Sequence, residues 1–160
     1  MGNPQVGIVM GSASDRPTMA AAEETLTALG VEFETRVLSA HRTPDAVRDW
    51  AQALEGRGVK VIIAGAGGAA HLAGVIAAHT TLPVIGVPLA APNAIGGGLD
   101  ALLSTVQMPR GVPVAAVAVG EAGAANAGIL AAEILALSDA DLGGRLRSMR
   151  KATAAKVLSS

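Results

Sequence analysis

The sequence predicts an α/β domain of three layers, with a central parallel sheet between helices and a helical extension at its C-terminal end. Three observations carry the prediction. Short β-branched runs alternate with Ala-rich helical stretches, as strands and crossover helices do in a parallel sheet. The runs are apolar almost throughout instead of alternating, which is the pattern of strands covered on both faces. At 160 residues, 51% hydrophobic and 16% charged, the chain has the size and apolar content of one domain that buries much of itself.

The elements follow in order. Val6–Met10 reads as the first strand, and a helix over Thr18–Leu29 follows, with Asp15 as a candidate N-cap and Gly30 as its stop. Phe33–Leu38 is the second strand; Thr43 and Pro44 open a helix over Pro44–Gly56, which Gly58 ends. Val59–Ala64 is the third strand, followed by a helix over Ala69–Ala78. Pro83–Val87, a helix over Leu99–Val106 and a strand over Val112–Val119 complete the alternation. Gly123–Leu137 reads as a helix apolar almost all round and therefore buried, with a place between subunits as one reading. Asp139 then caps a charged amphipathic helix with Arg145, Arg147, Arg150 and Lys151. There is no internal repeat, linker or low-complexity tail, so residues 1–160 are expected to form a single domain.

Composition excludes several classes of function. A formal net charge of −1 leaves no basic stripe for a phosphate backbone, so no nucleic-acid partner is expected. With no cysteine there is neither a disulfide nor a thiolate metal site. No secretory signal opens the chain, and the cytoplasm is the default compartment. Val61–Ala78 is long and apolar, but it is mostly Ala and Gly, which insertion scales do not reward; no membrane partner is expected. The first six residues end in Val6, where a myristoylation pattern wants Ser or Thr. Phe33 and Trp50 are the only aromatics, so the core rests on Val, Ile, Leu and Ala packed around 20 glycines. Such a thin core with few surface charges points to a homo-oligomer.

In an open parallel sheet ligands bind beyond the carboxyl ends of the strands, and three loops there carry chemistry. Gly11-Ser12-Ala13-Ser14-Asp15 offers a close backbone, two hydroxyls and the amides of a helix start, a cradle for phosphate. Asp15 suits a diol such as ribose, although Ser14 or Asp15 could simply cap the helix. In Ser39-Ala40-His41-Arg42-Thr43-Pro44, Arg42 can hold phosphate through two parallel bonds and His41 supplies a proton-transfer group near neutral pH. The third loop, Gly65-Ala66-Gly67-Gly68-Ala69-Ala70-His71, imitates a dinucleotide fingerprint, yet no acidic residue stands about 20 positions on. Its glycines fit better as a flat wall against a planar heterocycle, with His71 touching the ligand or bonding a backbone carbonyl. His79 reads as a surface residue at a helix end. No His and carboxylate cluster has metal-ligand spacing.

These loops, together with Val106-Gln107-Met108-Pro109-Arg110-Gly111-Val112-Pro113 and Gly123-Ala124-Ala125-Asn126-Ala127, resemble in order and spacing the bacterial N5-carboxyaminoimidazole ribonucleotide mutases of purine biosynthesis. The resemblance runs nearly the whole chain. It implies a flavodoxin-like fold, an octamer, and transfer of a carboxylate from N5 to C4 of aminoimidazole ribonucleotide without metal or organic cofactor. It assigns the ribose 5-phosphate to Ser12, Asp15 and Arg42, and the acid/base role to His41. Ser14, Ser39, Ala40, Gly67, His71 and Leu72 in the same loops complete the candidate substrate-binding set.

One stretch departs from the family. Between Pro88 and Val106, where the family has a Ser-containing segment, Leu89–Asp100 is rich in Pro and Gly and about two residues longer. Two readings stay open there, Asn93 in place of a hydroxyl or a lid hinged at Gly96–Gly98, and no catalytic residue is assigned. Two other functions also stay open: an aminoimidazole ribonucleotide carboxylase using free CO2, and a non-catalytic nucleotide-binding module. His41-Arg42-Thr43-Pro44 and the compact length look more like the mutase branch, and the presence of both His41 and Arg42 speaks against a decayed site.

Overall fold

The computed structural model describes residues 3–159; Met1, Gly2 and Ser160, and with them the start of the segment weighed for lipid attachment, lie outside the described residues. Five strands, β1 (Val6–Met10), β2 (Phe33–Val37), β3 (Val61–Gly67), β4 (Val84–Leu89) and β5 (Ala115–Ala116), form one sheet in the order β2-β1-β3-β4-β5. Every neighbouring pair is parallel. This is the flavodoxin-like order, in which the chain leaves β1 toward one edge for β2 and returns across it to β3. In register, Met10 lies opposite Val37 on one side and Gly65 on the other, and Gly67 lies opposite Leu89. The loops after β1, β2, β3 and β4 therefore leave from one edge of the sheet.

Helices α1 (Arg16–Ala28), α2 (Pro44–Ala53), α3 (Leu72–Ala77), α4 (Leu99–Val106), α5 (Gly120–Ala136) and α6 (Ala140–Leu158) complete the molecule. Strand side chains alternate between two cores. Ile8, Met10, Ile63, Ile85 and Val87 face α1 and α5, with Leu142 and Leu146 of α6 closing that side. Val9, Ile62, Ala64 and Val84 meet Val47, Trp50, Leu72 and Ile76 of α2 and α3. Strand glycines sit where a helix side chain presses on the sheet. A Cβ on Gly7 would come 3.2 Å from the Trp50 ring, and on Gly65 or Gly86 it would collide with Met19 or Thr105. Among the described residues, no helix is long and apolar enough to cross a membrane.

Several expectations need correction. The third strand runs on through Gly65, Ala66 and Gly67, because β4 pairs with it as far as Leu89. The last strand shrinks from Val112–Val119 to two residues: Pro113 has no N–H to donate, and Gly111 (φ 101°) and Ala118 (φ 131°) leave the extended region. Asp15 holds the N-cap position of α1 as expected, but its carboxylate makes no capping bond to that helix; it accepts from Ser12 N at 2.9 Å, around a short 3-10 turn over Ala13–Asp15. Thr43 likewise spends its hydroxyl on Ser39, accepting from its N–H and donating to its carbonyl. The apolar helix begins at Gly120, and its buried face is covered within the chain by α1, β3, β4 and α6, so its apolarity is not itself a sign of a subunit interface. Large apolar side chains are exposed elsewhere: Ile95 before α4, Leu99, Leu103 and Val106 along it, and Leu137 after α5.

Candidate active site

A cavity of about 380 Å³ opens at the carboxyl edge of the sheet, where the chain diverges from β1 to either side. Its lining comes from four loops: Gly11, Ser12 and Asp15; Ser39 to Arg42; Ala66 to Ala69 with Leu72; and Ala91 with Asn93. Its size suits a small ligand of nucleotide class.

The loop after β1 is a closed unit. Gly11 N–H donates to Gly65 O at 3.1 Å, Ser12 N–H to the Asp15 carboxylate at 2.9 Å, and Asp15 N–H to Ser12 O at 3.1 Å. Ser14 lies outside the cavity lining; its N–H donates to Ser12 Oγ at 3.3 Å and its hydroxyl to the same oxygen at 2.9 Å. The amide cradle expected for phosphate is thus largely engaged in the loop's own bonds. Hydroxyls and the guanidinium of Arg42 are left as the groups for an anion.

Arg42 is fixed from two loops. Its Nη2 donates to Gly11 O at 2.7 Å and its Nε to Ser39 Oγ at 3.2 Å. Nη1 and the second hydrogen of Nη2 have no protein acceptor among the described residues, which leaves one side of the fork for an oxyanion. Asp15 lies within its field. Burial pushes the Asp15 carboxyl above the ordinary carboxylate range, while the Ser12 N–H and the Arg42 charge pull it back in part.

His41 reaches from the loop after β2 to that after β3, where its Nε2 lies 2.9 Å from His71 Nδ1. The rings meet edge to face, at 85°. His71 stands outside the residues that line the cavity, and the hydrogen bond it makes there is to His41. Leu72 is buried and forms part of the floor. Among the described residues no three His, Asp or Glu side chains gather as a metal would require. His79 is half-buried beyond α3, beside Gln52 and Glu55 and away from this cavity.

Ser12, Asp15, Ser39, Ala40, His41, Arg42, Gly67 and Leu72 therefore converge on one space, while Ser14 and His71 stand behind it. Sequence reasoning weighed Asn93 in place of a hydroxyl without assigning it a role, and did not place Ala91 there. The rule that loops at the carboxyl edge carry the site already pointed to the segment after β4, but its run of Pro and Gly gave no chemical signature.

The family model for AIR carboxylase matches residues 5–156. N5-carboxyaminoimidazole ribonucleotide mutase of Bacillus subtilis (strain 168) is 55% identical over 157 residues, covering 98% of this chain and 96% of that protein. The enzyme of the same name from Escherichia coli (strain K12) is 54% identical over 159 residues, covering 99% and 93%. Among solved structures, the crystal structure of Treponema denticola PurE superposes with a TM-score of 0.87 at 29% identity, covering 98% of this chain and 95% of that one.

Proposed function

The chain belongs to the AIR carboxylase family, and on that premise we propose that it is an N5-carboxyaminoimidazole ribonucleotide mutase of purine biosynthesis. What carries the reading is the agreement between full-length likeness to relatives of that name and a cavity that gathers Ser12, Asp15, His41 and Arg42.

In this reading Arg42 and the Ser12 hydroxyl hold the 5-phosphate and Asp15 accepts from the ribose hydroxyls. The heterocycle lies along the Gly67–Gly68 wall, where missing side chains let a flat ring approach. A proton passes from His41 to N5 as the carboxylate leaves it as CO2, and C4 attacks the retained carbon. His41 then removes the C4 proton, which restores the aromatic ring. Holding CO2 beside C4 gives it an effective concentration far above that of dissolved CO2. Ser39, Ala40, Gly67 and Leu72 shape the pocket, and Ser14 and His71 support Ser12 and His41. The working form is an octamer in the cytoplasm, consistent with the apolar side chains that α4 leaves exposed in a single chain.

The source of the carbon tests this. With N5-carboxyaminoimidazole ribonucleotide labelled in its carboxylate and unlabelled bicarbonate present, most label should reach the C4 carboxylate, and added bicarbonate should not change the rate. Label lost within one turnover, with a rate from aminoimidazole ribonucleotide that rises with dissolved CO2, would assign the chain to the carboxylase reaction instead.

A further inference from the structure

The loop after β4 is the one wall of the cavity without an assigned role. β2 and β4 are separated by β1 and β3, so their loops stand on opposite sides of the cavity, roughly 14 Å apart at the strand ends. The β2 side carries Arg42, and the β1 loop beside it carries Asp15. On the far side the lining is Ala66, Gly67, Gly68, Ala69, Ala91 and Asn93, and Asn93 has the only polar side chain among them.

That side chain is presented by a built turn. Pro92 and Asn93 are its corner residues, closed by Ala94 N–H to Ala91 O at 2.9 Å; proline presets the first corner and asparagine is at home in the second. The segment is tied on both flanks. Asp100 accepts from Ile95 N–H at 3.0 Å, and Gly98 (φ 103°) packs so closely on Ala90 and Val119 that a Cβ would come within 3.2 Å of both. The turn also rests on the third loop, since a Cβ on Gly67 would lie 3.2 Å from Leu89 O and 3.4 Å from Ala91 Cβ. Yet the Asn93 amide has no hydrogen-bond partner among the described residues. An anchored turn thus holds an unused amide against the same space as His41.

We propose that Asn93 is a substrate-contacting residue, whose side-chain N–H donates to the carboxylate at the heterocycle end of the ligand. The inference rests on the mutase reading. With the phosphate at Arg42, the heterocycle extends past His41 toward the loops after β3 and β4, and the migrating carboxylate is the anionic group at that end. A neutral amide suits this place: it stabilises the carboxylate in both positions without a fixed positive charge that would hold the group too firmly to let it move.

The test compares two nucleotides that differ only in that group. Binding of 4-carboxyaminoimidazole ribonucleotide and of aminoimidazole ribonucleotide is measured by calorimetry on wild type, Asn93→Ala and Asn93→Asp, alongside turnover of N5-carboxyaminoimidazole ribonucleotide. Asn93→Ala should weaken the carboxylated nucleotide by about ten- to a hundredfold, the span for a hydrogen bond to a charged group, and leave the decarboxylated one within about threefold. Asn93→Asp keeps shape and turn but opposes the carboxylate, so it should weaken the same ligand further. Equal losses for both nucleotides, or no loss in either variant, would overturn the assignment. Wild-type chain that converts no substrate would instead remove the mutase reading, and this inference with it.

Discussion

His41 Nε2 and His71 Nδ1 share one hydrogen, 2.9 Å apart, so when one imidazole donates the other must accept. His41 lines the cavity, and His71 lies next to it outside that lining. His41→Asn should therefore lower turnover by about 10²–10⁴, the usual contribution of a general acid/base, while ligand affinity stays within about tenfold. His71 is exposed to solvent, and water can take its place beside His41. His71→Asn should cost less than about tenfold in kcat/KM. Steady-state kinetics on both variants decides the roles, and a larger loss for His71 than for His41 would exchange them.

Arg42 should matter for binding more than for chemistry. Arg42→Ala removes a charge-assisted contact of about 1.5–3 kcal/mol, so calorimetry should show a ten- to hundredfold loss of nucleotide affinity. Arg42→Lys should recover only part of it, because an ammonium cannot reach Gly11 O and Ser39 Oγ and also present two parallel donors to phosphate. Full rescue by lysine would mean the site needs only a point charge.

Asp15 gives a pH signature with a definite sign. Folding raises its pKa through burial, so the folded chain holds the proton to higher pH than the unfolded one. The stability linked to the protonated carboxyl is complete below the unfolded pKa and is lost as pH rises through the folded pKa. Asp15→Asn keeps an acceptor for Ser12 N–H without a buried charge. At neutral pH it should melt at or above the wild-type temperature while binding nucleotide more weakly, and the gap should close in acid. A variant less stable than wild type at neutral pH would show that Ser12 and Arg42 outweigh burial.

The start of α5 supplies a stability test remote from the ligand. A Cβ on Gly123 would collide with the Ala118 carbonyl, and Ala118 itself sits at φ 131°. Gly123→Ala should cost about 1–3 kcal/mol in urea unfolding. Ala118→Gly should be neutral or stabilising by up to about 1 kcal/mol, since glycine accepts that torsion freely. Adding it to Gly123→Ala should not rescue, because the obstructing oxygen is backbone.

Strand and helix placement were legible because period and composition report burial, whereas the sheet order was implied only through the family resemblance. Val6–Met10 and Leu99–Val106 stand where the pattern puts them. Boundaries failed where a residue type serves two purposes. Gly65-Ala66-Gly67 reads as a turn by composition, yet it is strand, paired with β4 as far as Leu89, and Gly65 is glycine because Met19 leaves no room for a side chain there. Asp15 and Thr43 carry the residue types of caps, but their oxygens bond neighbours within their own loops. The cavity was legible through its charged and hydroxylic members. Asn93 was legible only as one of two open readings, since a turn and a binding wall both use asparagine, and the fold shows that it lines the cavity.

The strand glycines have a consequence for how this sequence can drift. At Gly65 the obstruction is the thioether of Met19, a flexible side chain that a shorter residue could replace. At Gly86 it is Thr105, a β-branched residue with few rotamers to retreat into, and Val114 stands close behind. Change at Gly65 is therefore a two-site event, in which the helix residue must shrink before the strand residue can grow, and at Gly86 both Thr105 and Val114 must give way. Descendants of this chain should show Gly65 and position 19 varying together, and Gly86 fixed for as long as Thr105 remains.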